Sequence, residues 1–419
     1  MKIYSELKIK HLQGKEVFQF LKYIGPGLLV TVGFIDPGNW ATNVAAGSQY
    51  GYVLLWVIAM STVMLTCLQH NAAHLGIVTG YCLSESATAN LKPWVSRTAL
   101  CTAVVAAIAT AFAEIMGAAI ALNMLFSLDI RIGSFIASTG SLILVFTNSY
   151  RKIEKIIMVF ISIIGFSFLI ELLMIKTDWI ATIHGTTIPI IPSGSIIIVM
   201  SLMGSVIMPH NIFLHSEVIQ SREWNLTDKN TLTKKLKYEY LDTIFSMGIG
   251  FAINCAMIIL AATTFFAHGI AVTDLSQAHN MLNPILGPIA SGVFAIALLF
   301  AGISSSITAA ISGGSIFSGM FMEPYNIRDL HSKTGVLLTI IPATLLVFLI
   351  SNPFSGLIIS QMFLSVQLPI TVFLLLSLTS SQKVMGEYAN KGIGKLTLWV
   401  IAGILLILNI LLLLDTLRF

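Results

Sequence analysis

Two short stretches interrupt long apolar runs in the same way: Phe34-Ile35-Asp36-Pro37-Gly38-Asn39 and Val206-Ile207-Met208-Pro209-His210-Asn211, 172 positions apart. Both fit the pattern (Phe/Val)-Ile-x-Pro-x-Asn. A proline inside an apolar helix lacks an N–H and clashes with the preceding turn, so carbonyls near Gly33 and Ser205 lose their helical partners. In hydrocarbon such freed groups, and the charge on Asp36, are tolerated only where they line a cavity or a site. The pattern predicts two helices broken in mid-membrane, with Asp36 and Asn39 at the first break holding something charged.

A membrane is required by composition. Of 419 residues 56% are hydrophobic and 10% charged, with a mean hydropathy of +0.88, values outside the soluble globular classes. A spanning helix needs roughly 20 mostly apolar residues. On that basis eleven spans are expected, at 24–49, 52–76, 97–126, 131–149, 153–175, 194–221, 241–267, 284–321, 334–351, 353–380 and 396–416. The eighth exceeds one crossing and is expected to run on into the cytoplasm. With the N-terminus inside, 20 of the 23 basic residues fall on the inner side, Arg131, Lys176 and Arg418 being the exceptions. This bias predicts a cytoplasmic N-terminus and an outer C-terminus. It also accounts for the net charge of +4 without a nucleic-acid partner. Residues 1–22 are charged and do not read as a cleaved signal peptide. The four cysteines show no Cys-x-x-Cys spacing and read as buried small hydrophobes.

The paired breaks also predict the architecture. Five spans in the first unit make the second enter from the opposite face, giving inverted repeats at about 24–175 and 194–380, plus an extra helix at 396–416. The whole chain reads as one polytopic all-α domain. Inverted repeats with broken first helices point to a transporter site at the midplane. If the breaks face each other, the site offers the Asp36 carboxylate, the Asn39 amide oxygen, the Met208 thioether and backbone oxygens, with Asp36 the only formal charge. That set suits a divalent cation. Hard ions prefer all-oxygen shells and sulfur favours later first-row metals, so the set leans towards Mn²⁺, Fe²⁺ or Co²⁺ over Mg²⁺ and Ca²⁺. The plainer readings are that Met208 fills a gap and that Asp36 caps the second half-helix, and capping is compatible with metal binding.

Asp36-Pro37-Gly38-Asn39 and Met208-Pro209-His210-Asn211 resemble the two signature motifs of the Nramp family of proton-coupled divalent metal transporters. The flanks Ala41-Thr42-Asn43, Leu75-Gly76-Ile77-Val78-Thr79-Gly80, Glu114-Ile115-Met116-Gly117 and Ile212-Phe213-Leu214-His215-Ser216 agree. The resemblance implies a LeuT-like fold with eleven spans and import of Mn²⁺ or Fe²⁺, and the short loops between spans suggest a bacterial inner membrane. It implies Asp36, Asn39, Met208 and the Ser205 carbonyl as metal ligands, with the Gly33 carbonyl added in some states. Gln361 is similar to the family glutamine that approaches the metal on occlusion. No resident cofactor is implied; the metal is cargo, the bilayer is the surrounding partner, and a monomer is expected.

The proton route is where the chain departs. His210 corresponds to a family residue tied to proton movement, and Glu114 to an acidic residue of the exit route. His210 and His215 are five residues apart and do not share one helix face. Intramembrane histidines are also commonly structural. Relatives carry Thr-Asp where this chain has Thr110-Ala111, and paired arginines before the ninth span are replaced around His331, Ser332 and Lys333. Glu217 is an added carboxylate, either a stand-in for the lost aspartate or, more simply, a partner for Arg222. The expectation is metal transport with a depleted proton route; the alternative is a Mg²⁺-permeable or proton-uncoupled transporter of the same fold, against which Met208 argues. An amino-acid carrier of this fold is disfavoured by the anionic Asp36. An enzyme is disfavoured by the lack of His-Glu-x-x-His, Gly-x-Ser-x-Gly or a nucleotide loop.

Overall fold

The computed structural model describes residues 26–31, 35–147, 159, 176–221, 229–276 and 288–416. Gly33, the fifth expected span apart from Val159, and Arg222 lie outside these. The first broken helix consists of α1 (Pro26–Thr31) and α2 (Pro37–Tyr50). There follow α3 (Leu55–Thr79), α4 (Leu83–Asn90), α5 (Pro93–Phe126), α6 (Ile130–Thr147) and α7 (Trp179–Thr187). The second broken helix is α8 (Ile196–Val206) and α9 (Pro209–Gln220). After it come α10 (Lys229–Thr264), α11 (Pro288–Gly319), α12 (Leu330–Leu349), α13 (Pro353–Thr379) and α14 (Gly392–Thr416).

Eight of these helices, counting α8 and α9 as one, are long and apolar enough to cross a bilayer. The first expected span is the α1–α2 pair. The second is α3, a 25-residue helix whose run of Gln69, His70, Asn71 and His74 makes it less apolar than the rest. Two features differ from the expectation. α10 begins at Lys229, twelve residues before the expected start of the seventh span, because its charged first turns continue the apolar helix without a breaker. The short α4 and α7 lie between spans; neither is long enough to cross a membrane.

The packing has the exchange symmetry that inverted halves demand. α2 packs on α10 while α9 packs on α3, and α5 packs on α11 as the most extensive pair. α8 lies along α13. The start of α1 is tied to α10 through Gly27 N, which donates to Asp242 Oδ2 at 2.8 Å. These pairings carry both breaks into the middle of the bundle, where their side chains are buried.

Candidate metal site at the paired breaks

Pro37 stands at the first position of α2, where its missing N–H leaves no bond unmade and its fixed φ suits the helix. A proline drives the residue before it out of helical geometry, and Asp36 is extended at φ −86°, ψ 168°. From there Asp36 Oδ1 accepts from Asn39 N at 2.6 Å, so Asp36 is a cap as well as a candidate ligand. The Ile35 carbonyl freed by the break accepts from the Trp40 indole at 3.1 Å. Met208 holds the equivalent place before Pro209, at φ −77°, ψ 123°, with no side-chain cap of its own.

The asparagine common to both motifs joins the two breaks. Asn39 Nδ2 donates to Asp36 Oδ1 at 3.2 Å and, across the interface, to the Ser205 carbonyl in the last turn of α8 at 2.9 Å. Asn211 Nδ2 reaches the other way, to the Val30 carbonyl in the last turn of α1, at a longer 3.5 Å. Each broken helix thus answers a carbonyl left open by the other. The hydroxyls of Thr42 and Ser205 add a contact of 3.2 Å. Glycines let neighbours approach: a Cβ on Gly38 would lie 1.9 Å from Gln361 Nε2, and one on Gly117 of α5 would lie 2.0 Å from Pro37 Cβ.

Asp36, Asn39, Ser205, Met208, His210, Glu114 and Gln361 are all fully buried. Asp36 Oδ2, Asn39 Oδ1 and Gln361 Oε1 have no hydrogen-bond partner among the described residues. Buried oxygens of this kind are costly unless a cation, proton or water answers them. The carboxyl of Glu114 stands beside Asp36 and Ser305. Two carboxyl groups in contact repel when both are ionised, so this pair needs a proton or a metal between or beside them. Among the described residues no three His, Cys, Asp or Glu side chains gather as in a structural metal site. The donors are mostly neutral, which suits an ion that must also leave.

The structure brings some of the expected residues together and separates others. Asp36, Asn39 and Ser205 are hydrogen-bonded, Glu114 and Gln361 adjoin them, and Met208 is packed in an apolar cluster with Ala106, Ala109 and Leu364. His210 Nδ1 is 3.1 Å from Thr110 Oγ1, while the His210 carbonyl accepts from Ser312 Oγ at 2.6 Å. His215 faces elsewhere, its Nδ1 lying 3.0 Å from Gln69 Oε1. Glu217, about two turns beyond His210, is buried and accepts from Ser315 Oγ at 2.7 Å. The segment around His331 closes a loop: His331 stacks on Phe321 at 3.8 Å and bonds Glu323 at 2.8 Å, and Ser332 Oγ accepts from Asn326 N. Sequence reasoning missed Thr42, Thr110, Gln69 and Ser315. For Thr110 a signal was present, since it lies one turn from Glu114 and on the same helix face.

The residues 27–415 match the family model described as natural resistance-associated macrophage protein-like, Nramp. The chain is 36% identical to a divalent metal cation transporter, MntH, of Caldanaerobacter subterraneus subsp. tengcongensis, over 97% of this chain and 96% of the relative. Among solved structures it is similar to a mutant form of the manganese transporter of Eremococcus coleocola, with TM-score 0.81, 29% identity and coverage of 94% and 86%. At the level of fold alone it matches Mhp1, a nucleobase-cation-symport-1 family transporter, with TM-score 0.64, 14% identity and coverage of 94% and 92%.

Proposed function

The chain belongs to the Nramp family, and from that premise we propose that it imports divalent transition-metal ions, Mn²⁺ or Fe²⁺, by alternating access around the paired breaks. The observation that carries this is the Asn39 bridge between Asp36 and the Ser205 carbonyl, with Asp36 Oδ2 and Asn39 Oδ1 left over and buried. A cation bound by Asp36 and Ser205 O replaces the two N–H donors of Asn39, whose amide then turns its oxygen to the ion. Met208 joins by turning its thioether from the neighbouring apolar cluster, and Gln361 by its free Oε1. Gly33 belongs to the same proposal through its carbonyl. The relatives named above carry divalent metal and manganese in their names, which supports this choice of cargo. With the basic residues inside, the N-terminus faces the cytoplasm and transport runs inward across a plasma membrane.

Proton linkage is retained only in part on this reading. Glu114 stands at Asp36, and His210, His215 and Glu217 follow along α9. Ala111 is buried where relatives have an acid, and His331 is engaged with Phe321 and Glu323. Uptake of labelled Mn²⁺ into proteoliposomes, with millimolar Mg²⁺ and Ca²⁺ present, tests the cargo: native protein takes up Mn²⁺ and Asp36→Ala does not. Equal uptake by both sinks the site. Acidification recorded in the same vesicles is expected to be weak; a strong metal-driven proton flux unaffected by Glu217→Gln overturns the depleted route.

A further inference from the structure

Away from the metal path, the first turn of α5, the last turns of α13 and the first half of α14 enclose a groove of about 610 Å³. Its walls include Leu91, Val95, Pro369, Phe373, Trp399 and Gly403, and Ser377 is the one polar residue among them. The volume is that of a ligand pocket. A lysine stands within about one helical turn of a wall residue on each side. On α14 Lys395, Trp399 and Gly403 recur at four-residue spacing on one face, and Lys92 stands three residues before Val95. Both lysines are exposed. α13 carries no charged residue, the acid of α5 is Glu114 at the metal site, and the acid of α14 is Asp415 at its opposite end. Trp94, beside the wall residue Val95 in sequence, is 71% exposed and Trp399, on the wall, 48% exposed, as suits aromatic anchors at a membrane interface.

An apolar slot with a two-lysine rim and no acid on its walls is complementary to a molecule with an apolar tail and an anionic head. We propose that the groove binds an acyl chain of an anionic phospholipid, whose phosphate meets Lys92 and Lys395. A zwitterionic lipid fills the walls equally but brings its own cation to the two lysines. On the orientation proposed above the starts of α5 and α14 lie on the cytoplasmic side, which puts the lipid in that leaflet; only this assignment rests on the orientation.

The test uses the full chain in detergent, titrated with phosphatidylglycerol or phosphatidylcholine of identical acyl chains and followed by native mass spectrometry and thermal stability. Each lysine near anionic lipid contributes a factor of about five, so phosphatidylglycerol is expected to bind roughly 30-fold more tightly. Lys92→Gln with Lys395→Gln removes that preference and leaves binding at the phosphatidylcholine level. Gly403→Leu, whose Cβ enters open space and leaves the helix packing intact, weakens both lipids. Equal binding of the two lipids by the native chain, or a preference that survives the double substitution, overturns the headgroup contact. Unchanged binding by Gly403→Leu overturns the groove. Labelling of Lys92→Cys by an impermeant maleimide from outside intact cells overturns the leaflet and orientation alone.

Discussion

Gly117 lies on α5, and its lack of a side chain lets that helix lie against the Pro37 ring. In Gly117→Ala the new Cβ would sit 2.0 Å from Pro37 Cβ and 2.3 Å from Cγ. Carbon atoms rest about 3.5–4.0 Å apart, so helix or ring must yield by about 1.5 Å. The ring cannot rotate away, and Pro37 begins α2, so the shift passes to Asp36 and Asn39. The 2.9 Å bond from Asn39 to the Ser205 carbonyl does not survive such a movement. Overpacking and the lost bond together cost about 2–4 kcal/mol. Carried by the metal-competent state, the lower figure raises the Kd for Mn²⁺ about 30-fold. Isothermal titration and vesicle uptake on one preparation measure this. Gly140→Ala on α6 is the control: its Cβ meets nothing within 4 Å, and the helix gains up to about 1 kcal/mol. If Gly117→Ala binds Mn²⁺ within about a factor of two of the native chain, contact with α5 does not set the geometry of the break.

Met208→Ala is expected to admit Mg²⁺ and Ca²⁺ as competitors while Mn²⁺ uptake falls less, because the lost donor is the one that disfavours hard ions; unchanged competition profiles refute the thioether's role. Cys82, in the turn before α4, has its thiol pushed up by burial and then by the Glu217 and Glu85 carboxylates. A raised value means less thiolate at any given pH, so maleimide at pH 8 is expected to leave Cys82 unmodified until the protein is denatured, as read by mass spectrometry. Gly38→Ala, whose Cβ would strike the end of the flexible Gln361 side chain, is expected to weaken Mn²⁺ binding less than Gly117→Ala does, since an amide can swing aside and a proline ring cannot.

The breaks, their prolines and the span order were readable because each rests on local chemistry: a missing N–H, a charge in an apolar run, a segment long enough to cross. Asp36 was legible as both cap and candidate ligand for the same reason. The long-range partners were not. Nothing local indicates that Glu114 comes to Asp36, that Gln361 packs on Gly38, or that Glu217 turns inward to Ser315. Those follow from how α5, α11 and α13 fit around the breaks, and the relevant sequence marks are glycines and serines that serve equally in ordinary helix packing. Met208 illustrates the limit from the other side. Its position in the motif predicts a ligand, while its neighbours Ala106, Ala109 and Leu364 are those of a core methionine.

The crossed asparagines have a consequence for motion. Because Asn39 answers α8 and Asn211 answers α1, neither helix can repair or widen its own discontinuity without stranding a carbonyl on the other. The two discontinuities therefore behave as one joint with two pins. With the two units inverted, each pin joins half-helices of the same face, α2 with α8 and α1 with α9, so a tilt of one half-helix carries its partner on that face along with it.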